Sequence, residues 1–271
     1  MKFRTFVLIP VAITLILLSL HSLFTPLASW GVGLDVVSLV VKALAMVGGV
    51  LAARAFGRGD FLRYAFSIHA FMYGVFVVRD CCSLVRPLRA ALDAAHMYEN
   101  LWRVFFVTAN ISGVVAAIMI ARAAKMALFD SGDNRGLGRI CLLVALLVGL
   151  VLTGPSILVS ATELRHGQLH HFVVLIGSCA DLVTFVMAVP VVRLIFALRG
   201  GILYMPWALF ALSRVCWLIR DCFGVAPAWL WGQTLFILIA EAARTMACGY
   251  DFSAGLAFRQ TFSASVEADD V

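Results

Sequence analysis

FGRGDFLRYAFSIHAFMYGVFVVRDC (Phe56–Cys81) and ALRGGILYMPWALFALSRVCWLIRDC (Ala197–Cys222) align without a gap and agree at seven of 26 positions. The identities are Arg58/Arg199, Gly59/Gly200, Leu62/Leu203, Ala70/Ala211, Arg79/Arg220, Asp80/Asp221 and Cys81/Cys222. A shared bias toward Leu and Val produces apolar matches, but it does not place Arg-Gly before an oily run and Arg-Asp-Cys at its end. The flanks agree in kind. Trp102 and Trp231 each follow the next loop, Asp35 precedes the second helical run, and Asp181 lies in the sixth. Together these positions point to a tandem duplication.

Between its polar ends, each stretch is an apolar run long enough to cross about 30 Å of hydrocarbon, which takes about 20 helical residues. Six more runs of this kind complete a set of eight: 5–24, 36–56, 61–78, 102–120, 140–161, 172–198, 202–219 and 228–248. None shows the alternation of a barrel strand, and lipid leaves no backbone group unpaired, so the runs are helices. Composition agrees. Of 271 residues, 63% are hydrophobic and 13% charged, with a mean hydropathy of +1.00. A soluble domain carries about 25% charged residues.

The reading is therefore an all-α, polytopic membrane protein of eight transmembrane helices in two parallel four-helix repeats, 1–135 and 136–255. A short disordered cytoplasmic tail, 256–271, is expected after them. Four crossings return the chain to its starting side, so both repeats insert in one orientation, about a pseudo-two-fold axis along the membrane normal. The first run begins MKFR like a secretory signal. It is longer than the usual apolar core of about 7–15 residues, and the repeat needs it.

Lys and Arg set the topology. Lys2, Arg4, Arg54, Arg58, Arg63, Arg122, Lys125, Arg135, Arg139, Arg199 and Arg259 gather on one side, against Arg79, Arg86, Arg89, Arg103, Arg165 and Arg220 on the other. The richer side is cytoplasmic, which puts both termini there and the chain in the cell (inner) membrane. The expected surroundings are the lipid bilayer, with a membrane partner or a second copy of the chain. The excess of 21 Lys+Arg over 15 Asp+Glu forms no basic run or basic-aromatic stripe, which excludes nucleic acid. The longest outer link, 81–101, has Pro87 placed to start a short interfacial helix.

Ionisable side chains inside a bilayer are expensive and are the first candidates for function. Asp181 in the sixth run, Arg214 in the seventh, and Glu241 and Arg244 in the eighth lie nearest mid-depth. Their first-half counterparts are milder: Asn110, Ser112, His69 and Tyr73. Lys42 is near enough to the outside to snorkel. Adjacent helical residues point about 100° apart, so Arg79 and Asp80 are expected to pair across the repeat, Arg79 with Asp221 and Arg220 with Asp80. These four are the repeat-interface candidates, and Cys81 and Cys222 would lie near the same axis, within range of a disulfide. In the outer loop ELRHGQLHH, Glu163, His166 and His170 share a face if a helix continues through them, a pattern suited to a metal or a proton-sensitive surface. Gly48-Gly49 and Gly200-Gly201 are placed for close packing or turns.

No nucleophile–base arrangement, phosphate loop or cysteine ligand cluster appears in the sequence, so nothing in it recommends an enzyme. The first expectation is a carrier or channel-like protein for a small solute or ion, its polar site between the sixth, seventh and eighth runs. The alternative is a non-transporting membrane subunit or sensor that docks a partner protein.

Overall fold

The computed structural model describes the backbone over residues 3–24, 30–95, 97–130, 135–168, 170–225 and 233–269. Side chains are described over 4–19, 33–95, 97–128, 136–168, 171–221 and 237–262. Among the described residues the secondary structure is all helical, in nine helices. These are α1 (Phe3–Phe24), α2 (Trp30–Ala55), α3 (Phe61–Leu84), α4 (Arg86–Ala94), α5 (Tyr98–Asp130), α6 (Arg135–Arg165), α7 (His170–Ala197), α8 (Tyr204–Val225) and α9 (Gln233–Asp269). The eight apolar runs fall in all of these except α4. That short helix, α4, carries Pro87 in its first turn, near where the sequence suggested, because a proline costs nothing in a first turn whose N–H groups are unpaired anyway.

The turns follow from local chemistry. Between α2 and α3 the chain reverses through Gly59 at φ +91°, and Asp60 then caps α3 by accepting from the Leu62 amide at 2.8 Å. Between α7 and α8 it reverses through Gly200 at φ +84°. Both positions need a left-handed backbone, which glycine supplies without steric cost.

α2, α3, α5, α7, α8 and α9 pack in that cyclic order, α9 closing back on α2. α1 lies outside, mainly against α9, and α6 lies outside against α7. The α2–α9 seam is backbone against backbone. A Cβ on Gly48 would sit 2.5 Å from the Phe252 Cα, and one on Gly255 would run into the Gly48 carbonyl. Such small-residue contacts are how membrane helices approach closely.

At one end of the ring an aromatic cluster fills the interior. Phe66 stacks on Phe56 at 5.8 Å, meets Phe210 edge-on at 5.8 Å, and touches Trp207 and Phe258. α9 reaches this cluster through Ala257 and Phe258, both fully buried. Hence the tail expected to begin at residue 256 is instead a continuation of α9, running to Asp269. The Ser/Ala-rich composition misled there, because alanine is also the best helix former.

Polarity is inverted relative to a soluble protein. On the outer helix α6, Leu147 and Val151 are 63% and 75% exposed, while Lys42 and Asp251 inside the ring are each 3% exposed. Contiguous exposed apolar surface of this extent belongs in lipid. Among the described residues, five helices are long and apolar enough to cross a membrane: 33–55 of α2, 61–84 (α3), 98–128 of α5, 136–165 of α6 and 171–197 of α7. This is consistent with a multi-pass membrane protein. α8 and α9 are less apolar because they carry Arg214, Arg220, Asp221, Glu241, Arg244 and Asp251.

Candidate functional site

Asp251 of α9 is the central acid of the ring. Its Oδ2 accepts from the Tyr73 hydroxyl of α3 at 2.5 Å and from an Nη of Arg214 of α8, and lies 3.3 Å from His69 Nε2. Trp217 Nε1 in turn donates to the Tyr73 oxygen at 3.0 Å. Three helices that do not all touch along their backbones are thus joined through one carboxylate. Buried polar groups need such partners, since each unpaired one in an apolar interior costs several kcal/mol.

A second cluster ties α2 to α3. Lys42 Nζ donates to Asp80 Oδ2 at 2.6 Å, and Arg79 donates to Asp80 Oδ1 from Nη2 at 2.6 Å and from Nε at 2.9 Å. Ser38 Oγ also donates to Asp80, at 3.4 Å. The Arg79 guanidinium stacks within 5.0 Å of the Phe76 ring and 5.7 Å of the Trp102 ring.

A third cluster stands where α7 and α8 face the same cavity. On α8 Arg220 Nη1 donates to Asp221 Oδ1 at 2.7 Å, and Asp181 of α7 lines the cavity with them. On α9, Arg244 donates to Glu241 one turn away and, at 3.5 Å, to the Leu34 carbonyl of α2.

These clusters surround one cavity of about 160 Å³. Every helix of the ring contributes to its wall: Lys42, Arg79, Asn110, Asp181, Thr184, Arg214, Arg220, Asp221 and Arg244 are the polar members, with Phe76, Phe106, Phe185 and Trp217 between them. A smaller void of about 20 Å³ shares Gly113, Thr184 and Arg214 with it, is also bounded by His69, and ends against Phe210 of the aromatic cluster.

Of the mid-depth candidates, Asp181, Arg214 and Arg244 meet in this one cavity, with Glu241 behind Arg244. The repeat-interface candidates converge on the same place, but not in the expected pairs. Arg79 binds its own neighbour Asp80, and Arg220 binds Asp221. The 100° between neighbouring Cα–Cβ bonds does not bind the end of an arginine, whose three methylenes swing the guanidinium back over the next residue. α3 and α8, moreover, face each other across the ring rather than packing together.

Lys42 does not snorkel; it is buried on Asp80. Cys81 is a free thiol, and the Cys222 side chain lies outside the described residues, as does Trp231. Between α6 and α7, α6 ends at Arg165 and the chain turns at Gly167, φ +84°. The Gln168 amide donates to the Glu163 carbonyl at 3.1 Å and the Gly167 amide to the Leu164 carbonyl at 3.0 Å. This is a Schellman stop. It breaks the helical register that would have placed Glu163, His166 and His170 on one face; the His170 side chain itself lies outside the described residues. Among the described residues no three His, Cys, Asp or Glu side chains converge as metal ligands.

Asp251 escaped the sequence reading because the eighth run was closed at Cys248. The signal was present in the apolar continuation GYDFSAGLAF (249–258), an acid inside a run rather than after it. Comparison of the chain with protein-family models, curated proteins and solved structures finds no significant match.

Proposed function

We propose that the protein is a membrane carrier or channel-like protein for a small solute or ion, and that the ring cavity is its binding site. One observation carries the reading: a cavity of about 160 Å³ walled by all six ring helices, with charged side chains from five of them. A bundle that needed charge only for packing would pair its ions and close around them, since an unfilled charged void costs desolvation without return. The smaller void leading toward the aromatic cluster supports a path plugged at Phe66 and Phe210.

On this reading α1, α8 and α9 also cross, for eight spans, and the chain is a duplicated four-helix unit. The left-handed turns at Gly59 and Gly200, the ring order, and the matched Arg-Asp pairs support the duplication. Both termini and both glycine turns then face the cytoplasm in a cell (inner) membrane. Cysteines placed by Arg58→Cys and Arg199→Cys should react with an impermeant maleimide from one side of sealed vesicles, and Arg89→Cys from the other. Labelling of the two turns from opposite sides would end the duplication.

The transport reading is tested by reconstituting the purified protein alone into liposomes and following uptake of a panel of small radiolabelled solutes. Uptake should appear in wild type and fall at least tenfold in Arg214→Gln. The rival, a subunit or sensor that docks a partner, draws on α4, an amphipathic helix with no buried residue that presents Arg86 and Arg89. It predicts silent liposomes and a stoichiometric membrane partner on gentle purification.

A further inference from the structure

On the outside of the ring, α2 and α3 form a groove of about 420 Å³. Small residues make its floor: Ala53, Ala70 and Gly74. A Cβ on the adjoining Gly49 would stand 2.9 Å from the Ala70 Cβ, so the two helices approach closely and leave a trough where larger side chains would raise a ridge. Met46, Val50 and Phe71 are its apolar sides, and Phe71 is 56% exposed. At one end, beside the Gly59 turn, stand Arg54 and Arg63.

These two arginines differ from those inside the ring. Arg79, Arg214, Arg220 and Arg244 each take a carboxylate. Among the described residues neither Arg54 nor Arg63 forms an ion pair, and Arg63 gives one long hydrogen bond, 3.5 Å, to the Phe56 carbonyl. A guanidinium carries five N–H donors in a fork that fits two oxygens of a phosphate. Ser67 lies one helical turn beyond Arg63 on the same face. Its hydroxyl is exposed and has no hydrogen-bond partner among the described residues, which leaves a third donor for the same oxygens.

Length fits as well. From Arg63 to Gly74 the groove follows about 16 Å of helix, at 1.5 Å per residue. One leaflet of hydrocarbon is about 15 Å deep, half of the usual 30 Å. A trough one leaflet deep, apolar along its length and cationic at its headgroup end, matches a phospholipid of negative charge, and basic pockets between membrane helices take such headgroups.

We propose that the α2–α3 groove binds an anionic phospholipid from the leaflet beside the Gly59 turn, its phosphate on Arg54 and Arg63 and one acyl chain along Val50, Phe71 and Gly74. This needs α2 and α3 to span the bilayer, and it needs neither the carrier reading nor its rival.

Binding is read by native mass spectrometry of the full chain in detergent. The probes are phosphatidylglycerol and phosphatidylcholine with identical acyl chains, and glycerol phosphate as a headgroup without chains. Wild type should hold phosphatidylglycerol at least about tenfold more tightly than phosphatidylcholine, the size expected of two arginines beside an anionic lipid. Glycerol phosphate should not displace it. Arg54→Gln/Arg63→Gln should bind both lipids alike. Arg86→Gln/Arg89→Gln removes as many charges from α4, past the far end of α3, and should keep the preference. Ser67→Phe fills the groove while leaving both arginines, and should weaken phosphatidylglycerol binding several-fold. If the Arg54/Arg63 variant does not fold, the wild-type preference and Ser67→Phe still decide.

The proposal is overturned by a wild type that binds both lipids equally, by a preference that survives Arg54→Gln/Arg63→Gln, or by unchanged phosphatidylglycerol affinity in Ser67→Phe. An equal loss in Arg86→Gln/Arg89→Gln would reduce the effect to general surface charge and overturn it too. So would displacement by glycerol phosphate, which would make the groove a site for free phosphate.

Discussion

Two polar junctions in the ring occupy matching places and are built oppositely. Where α2 meets α3, Lys42 and Arg79 close on Asp80, two cations on one acid, with Ser38 beside them. Where α7 meets α8, Arg220 pairs with Asp221 and Asp181 lines the same cavity, two acids beside one cation. The helix seams differ in the same sense. α2 meets α9 backbone to backbone at Gly48 and Gly255, whereas α5 meets α7 with Gly177 against the edge of the Phe106 ring. One half of the ring is fastened by contacts that have no room to change. The other is held by side chains that can move.

The sharpest way to break this contrast is at the α2–α9 seam. Gly48→Leu drives a side chain into the Phe252 backbone, which cannot yield as the end of a flexible side chain would. We expect no folded protein at all, read as loss of the monodisperse peak after detergent extraction. A normal yield would mean the seam is looser than its geometry.

Next come the two junctions. Asp80→Asn leaves Lys42 and Arg79 buried around a neutral group, and removing one partner of a buried ion pair costs about 3–5 kcal/mol. A large drop in unfolding temperature is therefore expected. Asp181→Asn removes one of the two acids at the other junction and should alter stability by less than about 1 kcal/mol, the range of a substitution that strands no charge. Its effect should appear in solute flux instead. Similar losses of stability from both variants would erase the distinction between a fastening and a site.

Much of the frame can be read from residue order, for reasons that also explain the failures. Apolar runs of membrane length and the glycine turns are local, and α3 and α8 lie close to where composition and Gly59 and Gly200 place them. Asp181, Arg214 and Arg244 were identifiable because lipid makes any mid-depth charge conspicuous. Pairing was not. Which acid Arg79 takes depends on three methylenes and on ring order, and neither has a period in sequence. Lys42 was misplaced because depth was counted from the end of its run, while burial is set by Asp80 on the next helix. The metal-like face of Glu163, His166 and His170 failed on one residue, since Gly167 ends the helix that the spacing required.

The smallest expected effect tests the yielding seam. A methyl on Gly177 would stand 3.2 Å from Cε1 and Cζ of Phe106, tight by a few tenths of an ångström. Phe106 is a ring edge and can give, though it is stacked on Trp102 at 5.4 Å and will resist. Overpacking of this kind costs about 1–3 kcal/mol, and replacing a helical glycine by alanine returns about 1 kcal/mol of intrinsic helix preference. Gly177→Ala should thus fold with an unfolding temperature within a few degrees of wild type. Gly177 and Phe106 also both line the cavity, so the methyl takes volume from it. A two- to fivefold loss of flux at near-normal stability is the expected outcome, in contrast to the collapse expected at Gly48. A collapse at Gly177 as well would show that both seams are rigid and that the difference between the halves lies in their charges alone.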